Sequence, residues 1–187
     1  MLIIAIISLT MALGFWFIWI YNQMVKRRNH VEDGWSGIDV QLKRRHNLIP
    51  NIVEAVKEYT AHEKEIMQTI AELRRMAKKS QDSNTGNTSK NEQLIGESLK
   101  SIMIMIEAYP DLKANQNFIN LQNELSEIED KIQLSRRYYN GAVRMYNTLI
   151  QSFPALFISH RFGFIEAEYF ELEDDDIARK TPKVDFK

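Results

Sequence analysis

The chain has 187 residues, 44% of them hydrophobic, and carries 24 basic against 25 acidic side chains. This balance gives no overall field that would attract a nucleic acid, so we expect no nucleic-acid partner. The absence of cysteine excludes a disulfide scaffold and a lipid-modified lipoprotein N-terminus, and seven glycines with four prolines are too few for a turn-rich β protein.

The first segment, residues 1–21, contains no charged side chain. As a helix it is about 31 Å long, which is enough to cross the hydrocarbon core of a bilayer. Aromatic side chains at its end and basic ones just beyond are typical of the headgroup layer. We therefore predict a transmembrane helix over 1–21 and a membrane interface formed by Trp16, Trp19, Tyr21, Lys26, Arg27 and Arg28.

A cleaved signal peptide is the alternative for this segment, with Ala12-Leu13-Gly14 as the cleavage site. Signal peptides carry basic residues before a shorter apolar core. Here no basic side chain precedes the apolar run, and the run continues past that site. We therefore favour a retained anchor. Because basic residues flanking a span stay in the cytoplasm, we expect a single-pass protein with its N-terminus outside.

Residues 22–37 follow as a juxtamembrane stalk that contains Gly34 and Gly37. Each glycine weakens a helix interior by about 1 kcal/mol, which indicates a hinge. Close packing of the backbone against a neighbour is the alternative. Just beyond, the basic cluster Lys43-Arg44-Arg45-His46 is near enough to the span to predict contact with lipid headgroups.

Helical periodicity then dominates residues 38–158, which we predict to form a helical bundle. Pro50 interrupts the first run, so we expect a kink or reorientation there and a helix from Pro50 to Lys79. Residues 80–90 contain no apolar side chain and predict a loop. Asn91 is a suitable cap for the next helix, which Pro110 ends.

The last helix is predicted from a single apolar stripe between Phe118 and Phe153, about 60 Å long. Pro154 stops it. The tail, residues 159–187, combines aromatic residues with an acidic end at Glu171–Asp176. We expect the aromatic residues to pack back onto the bundle and the acidic end to be solvated.

The dipeptide Tyr-Asn occurs at Tyr21-Asn22, Tyr139-Asn140 and Tyr146-Asn147. Asparagine is unfavourable inside a helix, and Asn140 and Asn147 lie seven residues apart on one helix face. One hypothesis is that both form hydrogen bonds across helices and set the register between them. Exposed asparagines beside buried tyrosines are the alternative.

Chemical motifs give little support for an enzyme. Glu58, His62 and Glu65 have a spacing compatible with a metal site, which a helix rich in these residues also produces by chance. His30, His46 and His160 have no ligand at suitable spacing and are interpreted as surface residues. Since no phosphate loop, nucleophile elbow or HExxH motif occurs, we predict no catalytic residues, metal or cofactor.

Several blocks of this sequence, in order from Tyr21 to Glu171, resemble the LemA family of bacterial membrane proteins. The resemblance implies an N-terminal membrane helix followed by a helical bundle, in the bacterial cytoplasmic membrane, with no assigned catalytic residues. The blocks are Ile38-Asp39-Val40-Gln41-Leu42-Lys43-Arg44-Arg45, Leu48-Ile49-Pro50-Asn51, His62-Glu63, Tyr109-Pro110-Asp111-Leu112-Lys113-Ala114, Asn117-Phe118 with Leu121-Gln122, Arg136-Arg137-Tyr138-Tyr139-Asn140, Phe153-Pro154, Phe162-Gly163-Phe164 and Tyr169-Phe170-Glu171.

These observations predict an all-α protein in which a transmembrane helix is followed by an antiparallel bundle of three to four long helices. The expected function is that of a non-enzymatic scaffold anchored in the bilayer, which forms homo-oligomers or docks membrane protein partners and organises or shapes membrane. An accessory subunit of a membrane enzyme, such as a protease or envelope-stress complex, is the first alternative. A metal-dependent enzyme using Glu58 and His62 is the second.

Overall fold

The computed structural model describes residues 1–60, 63–81 and 85–170. Six α-helices account for most of these residues, and no strand occurs in the described part. They are α1 (Leu2–Thr60), α2 (Lys64–Gln81), α3 (Thr85–Ile106), α4 (Pro110–Lys113), α5 (Gln116–Gln151) and α6 (Ala155–Phe162). The predicted all-α class with a long apolar N-terminal helix is confirmed, whereas the bundle arrangement stays a prediction.

Helix α1 continues through Pro50 and ends at Thr60, so the predicted helix from Pro50 to Lys79 is wrong. A proline inside a helix costs about 3 kcal/mol. Its neighbours Ile49, Ile52 and Val53 are buried, and each buried side chain of this size contributes about 1.5–3 kcal/mol. Burial of the apolar face therefore outweighs the local cost, and Pro50 itself lies on the exposed side.

Helix α3 begins at Thr85, six residues before the predicted cap at Asn91. The predicted loop over 80–90 is therefore too long, and its centre, residues 82–84, lies outside the described residues. Two polar residues of α3, Ser89 and Glu92, are buried. His46 Nε2 lies 2.9 Å from a Glu92 carboxylate oxygen, and both side chains are buried.

The described residues divide into two compact units, Met1–Arg45 with Ser126–Tyr169, and His46–Leu125 with Phe170. In the second unit, α2 packs against α3. Its core consists of residues from α1 to α5, among them Ile52, Val56, Ile70, Leu73, Ile95, Leu99, Ile102, Leu112 and Phe118. The predicted division at residues 21, 37 and 158 is not tested by these units.

In the first unit, α1 and α5 run antiparallel. Arg27 contacts Met145, and further along α1, Arg45 pairs with Glu129. The two helices approach closely at Gly34, where an added Cβ would lie 3.0 Å from the Cα of Tyr139. This is the close backbone approach given above as the alternative to a hinge, and the helix is continuous through Gly34 and Gly37.

Candidate membrane interface

The N-terminal third of α1 carries an extensive exposed apolar surface. Residues 1–19 are all exposed, and the large hydrophobic side chains among them include Leu2, Ile3, Ile7, Leu13 and Phe15. By length and composition this helix is able to cross a membrane. Exposed apolar surface of this extent is unfavourable in water and indicates a lipid or protein contact.

The predicted interface residues lie where this apolar surface ends. Trp16 and Trp19 are exposed, Lys26 and Arg28 are exposed, and Tyr21 and Arg27 are half-buried. Arg27 reaches across to α5, where its Nη1 lies 3.2 Å from the Sδ of Met145. Along α1 the aromatic side chains precede the basic ones, and a short helix packs beside them. Their contact with headgroups stays a prediction.

The short helix beside these residues is α6, and its position was not predicted from the sequence. The ring of Phe162 lies 5.9 Å from that of Phe17 and 5.2 Å from that of Tyr21. Phe164 packs on Tyr21 at 5.6 Å, and the guanidinium of Arg28 lies 5.6 Å from the centre of the same Phe164 ring. The motif Phe162-Gly163-Phe164 was the available signal, and Gly163 ends α6 at a φ of 71°, a conformation that favours glycine.

Beyond Phe164 the chain returns along α5 as an extended segment, residues 164–170, which we call the strap. Tyr146 Oη donates a hydrogen bond to the Ile165 carbonyl at 2.9 Å, and Tyr139 Oη donates to the Glu168 carbonyl at 2.8 Å. Burial raises the pKa of both phenols, and Glu168 adds to the effect at Tyr139. Of the tail aromatics that were expected to pack back, Phe164 and Phe170 are buried, whereas Phe162 and Tyr169 are exposed.

Asn147 holds the strap between these two tyrosines. Its Nδ2 donates to the Ala167 carbonyl and its Oδ1 accepts from the Ala167 amide, both at 2.9 Å. Asn147 is therefore buried and bonded to the tail, not to a facing helix. Asn140, two turns earlier in α5, is half-buried and lines an open, arginine-rich pocket with Arg136, Arg137, Arg144 and Tyr169. Its role in helix register stays a prediction.

Of the predicted lipid-facing cluster Lys43-Arg44-Arg45-His46, two side chains are exposed and two are buried. Lys43 and Arg44 are exposed, whereas the Arg45 side chain is 3% exposed and its Nη1 lies 2.8 Å from Glu129 Oε1. The His46 side chain is buried beside Glu92. The predictions that Arg45 contacts headgroups and that His46 is a surface residue are therefore wrong, because helical rotation turns both toward the interior.

A metal site finds no support in the described part of the chain, where no group of three potential ligands occurs. His62, which the metal hypothesis needs beside Glu58 and Glu65, lies outside the described residues. That hypothesis is accordingly untested.

Three relatives share low identity with this chain over most of its length. Magnetosome protein MamQ 2 of Paramagnetospirillum magneticum is 25% identical over 81% of this chain, which spans only 64% of that relative. Magnetosome protein MamQ of Magnetospirillum gryphiswaldense is 25% identical, covering 88% of this chain and 70% of the relative. Protein LemA of Metamycoplasma hominis is 22% identical, covering 86% and 74%.

The family comparison is more specific than these pairwise matches. The model of the LemA family matches residues 34–186. This range includes the part of α1 from Gly34 onward, helices α2 to α6 and the strap with its contacts to Tyr139, Tyr146 and Asn147. Since the match covers far more than half of the sequence, the chain belongs to the LemA family.

Proposed function

We propose that this protein is a non-enzymatic scaffold anchored in a bacterial cytoplasmic membrane, which self-assembles through its paired helices. One observation carries the proposal: the exposed apolar residues 1–19 continue without a break into the part of α1 that is packed against α5. A membrane span joined in this way to a helix pair places that pair at a fixed distance from the bilayer.

Membership of the LemA family, and the relatives named as magnetosome proteins, support a membrane-associated role. None of the names of these relatives states an enzymatic activity. The basic residues Lys26, Arg27 and Arg28 support a cytoplasmic location for the helices that follow the span.

The surface proposed for self-association lies on α5. Leu134, Tyr138 and Met145 are exposed apolar residues. Gly141 lies between the last two, and a Cβ added there would have no neighbouring atom within 4 Å. Their spacing of four, three and four residues is that of the contact positions of a coiled coil. We call this row of residues the α5 seam.

The test is the mass of the full-length protein in mild detergent, measured by light scattering coupled to size exclusion. We expect a discrete multimer of the 22.0 kDa chain. Leu134→Glu should reduce the mass, because it places a charge in the seam. Ile104→Glu changes an equally exposed residue, 61% against 63% exposed, in the other compact unit and should leave the mass unchanged.

A monomer in detergent would contradict self-assembly. It would favour the alternative of an accessory subunit, which should then co-purify with a membrane enzyme after crosslinking. Equal loss of mass in both glutamate variants would contradict the seam but not the multimer.

A further inference from the structure

The turn at the end of α5 presents a second exposed apolar surface. It comprises residues 152–165, which include α6, and we call it the α6 cap. Phe153 is 82% exposed, Phe157 is 68% exposed, and their rings lie 6.0 Å apart. Leu156 and Ile165 are also exposed. The cap therefore presents four large apolar side chains that its own packing leaves uncovered.

The opposite side of α6 is firmly attached to the first unit. Ala155, Ile158 and Ser159 are buried, and Ser159 Oγ donates a hydrogen bond to the Ile150 carbonyl at 2.8 Å. Because this side is fixed, the outward direction of Phe153, Leu156 and Phe157 is set by the fold. Their exposure is therefore not the fraying of a loose end.

The contacts of the cap place it at the level where the apolar surface of α1 ends. Ser152 lines the same groove as Trp19. Phe162 contacts Phe17 and Tyr21 on α1, and the next aromatic residue, Phe164, lies below Arg28. Along α1 this is the boundary between the uncharged residues and the basic ones, which is where a headgroup layer would lie if α1 spans the membrane.

The charge of the cap also fits a lipid surface. Residues 152–165 contain no acidic side chain, and their basic residues, His160 and Arg161, are exposed. Amphipathic helices that lie in the plane of a membrane combine aromatic and aliphatic side chains on one face with basic groups at the level of the headgroups.

We propose that the α6 cap inserts into the headgroup layer of an anionic leaflet, beside the point where α1 leaves that leaflet. The protein would then contact one leaflet twice, through its span and through Phe153, Leu156 and Phe157. This inference rests on the anchoring of α1 that the proposed function assumes. A single span leaves the α1–α5 pair free to tilt and to rotate about the helix axis. A second contact with the same leaflet restricts both motions.

The absence of cysteine permits a direct test by spin labelling of single cysteines in the full-length protein. The protein is reconstituted in vesicles of phosphatidylglycerol and phosphatidylethanolamine. Accessibility to oxygen, which partitions into lipid, is compared with accessibility to a nickel chelate, which stays in water. Phe157→Cys and Phe153→Cys report on the cap, Ile7→Cys on the span, and Val40→Cys on the water side of α1.

We expect the two cap labels to be accessible to oxygen and protected from the chelate, at a depth between those of the Ile7→Cys and Val40→Cys labels. Cap labels in water, with the Ile7→Cys label in lipid, would overturn the insertion and leave the anchor intact. Chelate access at Ile7→Cys as well would overturn the anchoring. Cap labels closed to both reagents and broadened by neighbouring spins would instead show that a second copy covers the cap.

Discussion

At the scale of single residues, the side chain of Asn147 links α5 to the strap. An asparagine in the middle of a helix is unfavourable, and here both its donor and its acceptor are used by the backbone of Ala167. The amide thus replaces the pairing that an extended segment would otherwise obtain from a neighbouring strand. This role explains why a helix of mostly apolar and charged residues retains asparagine at a buried position.

We expect Asn147→Leu to lower the free energy of unfolding by about 1–3 kcal/mol, because the variant leaves both backbone groups of Ala167 without their partners. Urea unfolding in detergent, followed by circular dichroism, measures the change. The matched control is Asn22→Leu, which alters an exposed asparagine that also follows a tyrosine. Equal effects of the two substitutions would argue against the strap contact.

Tyr139 and Tyr146, whose bonds to the strap flank that of Asn147, predict a dependence of stability on pH. Burial raises the pKa of Tyr139 and Tyr146 above 10.0. A raised pKa means that the folded state favours the protonated phenol, so this contribution to stability is complete below pH 10 and is lost as the pH rises through the folded-state pKa. The loss is expected because an ionised phenol no longer donates to the strap carbonyls.

Unfolding curves at several pH values above 10 should therefore show a falling stability in the parent protein and a weaker fall in Tyr146→Phe. Tyr138→Phe removes an exposed phenol from the same helix and should retain the full pH dependence. Identical slopes for all three proteins would show that the strap tyrosines do not control alkaline stability.

At the scale of helices, Gly34 and Gly37 differ in how closely α5 approaches α1. An added Cβ at Gly34 would lie 3.0 Å from the Cα of Tyr139, whereas at Gly37 its nearest neighbour is the Ser135 Oγ at 3.9 Å. The Cα of Tyr139 is a backbone atom and cannot move away without separating the helices. The distance to the Ser135 Oγ is an ordinary van der Waals contact.

We predict opposite results for alanine at these two positions. Gly37→Ala should raise the free energy of unfolding by about 0.5–1 kcal/mol through better helix propensity. Gly34→Ala should lower it by about 1–3 kcal/mol, since the methyl group overpacks the helix contact. Urea titrations of the two variants side by side provide the measurement, and stabilisation by both would contradict the close approach at Gly34.

At the scale of the whole molecule, the predicted orientation in the membrane rests on charge and not on packing. The basic residues all lie after the apolar run, so residues beyond the span are expected in the cytoplasm. In spheroplasts, a maleimide that cannot cross the membrane should label Leu2→Cys. It should label Val40→Cys only after permeabilisation. The reverse pattern would overturn the predicted orientation.

The sequence by itself determined the features that depend on neighbouring residues. The uncharged run of residues 1–21, the apolar stripe that became α5 (Gln116–Gln151) and the scarcity of glycine and proline were sufficient to predict an all-α protein with an apolar N-terminal helix. Such patterns repeat within one helix and need no knowledge of its partners.

Only the tertiary structure decided which of those local signals prevail. The path of α1 through Pro50 depends on the burial of its neighbours, and Arg45 is turned inward to a glutamate 84 residues away. The strap is held by α5 side chains 19 to 29 residues before its carbonyls. These contacts join segments that are distant in the chain, and periodicity along one helix carries no information about the partner that a side chain will meet.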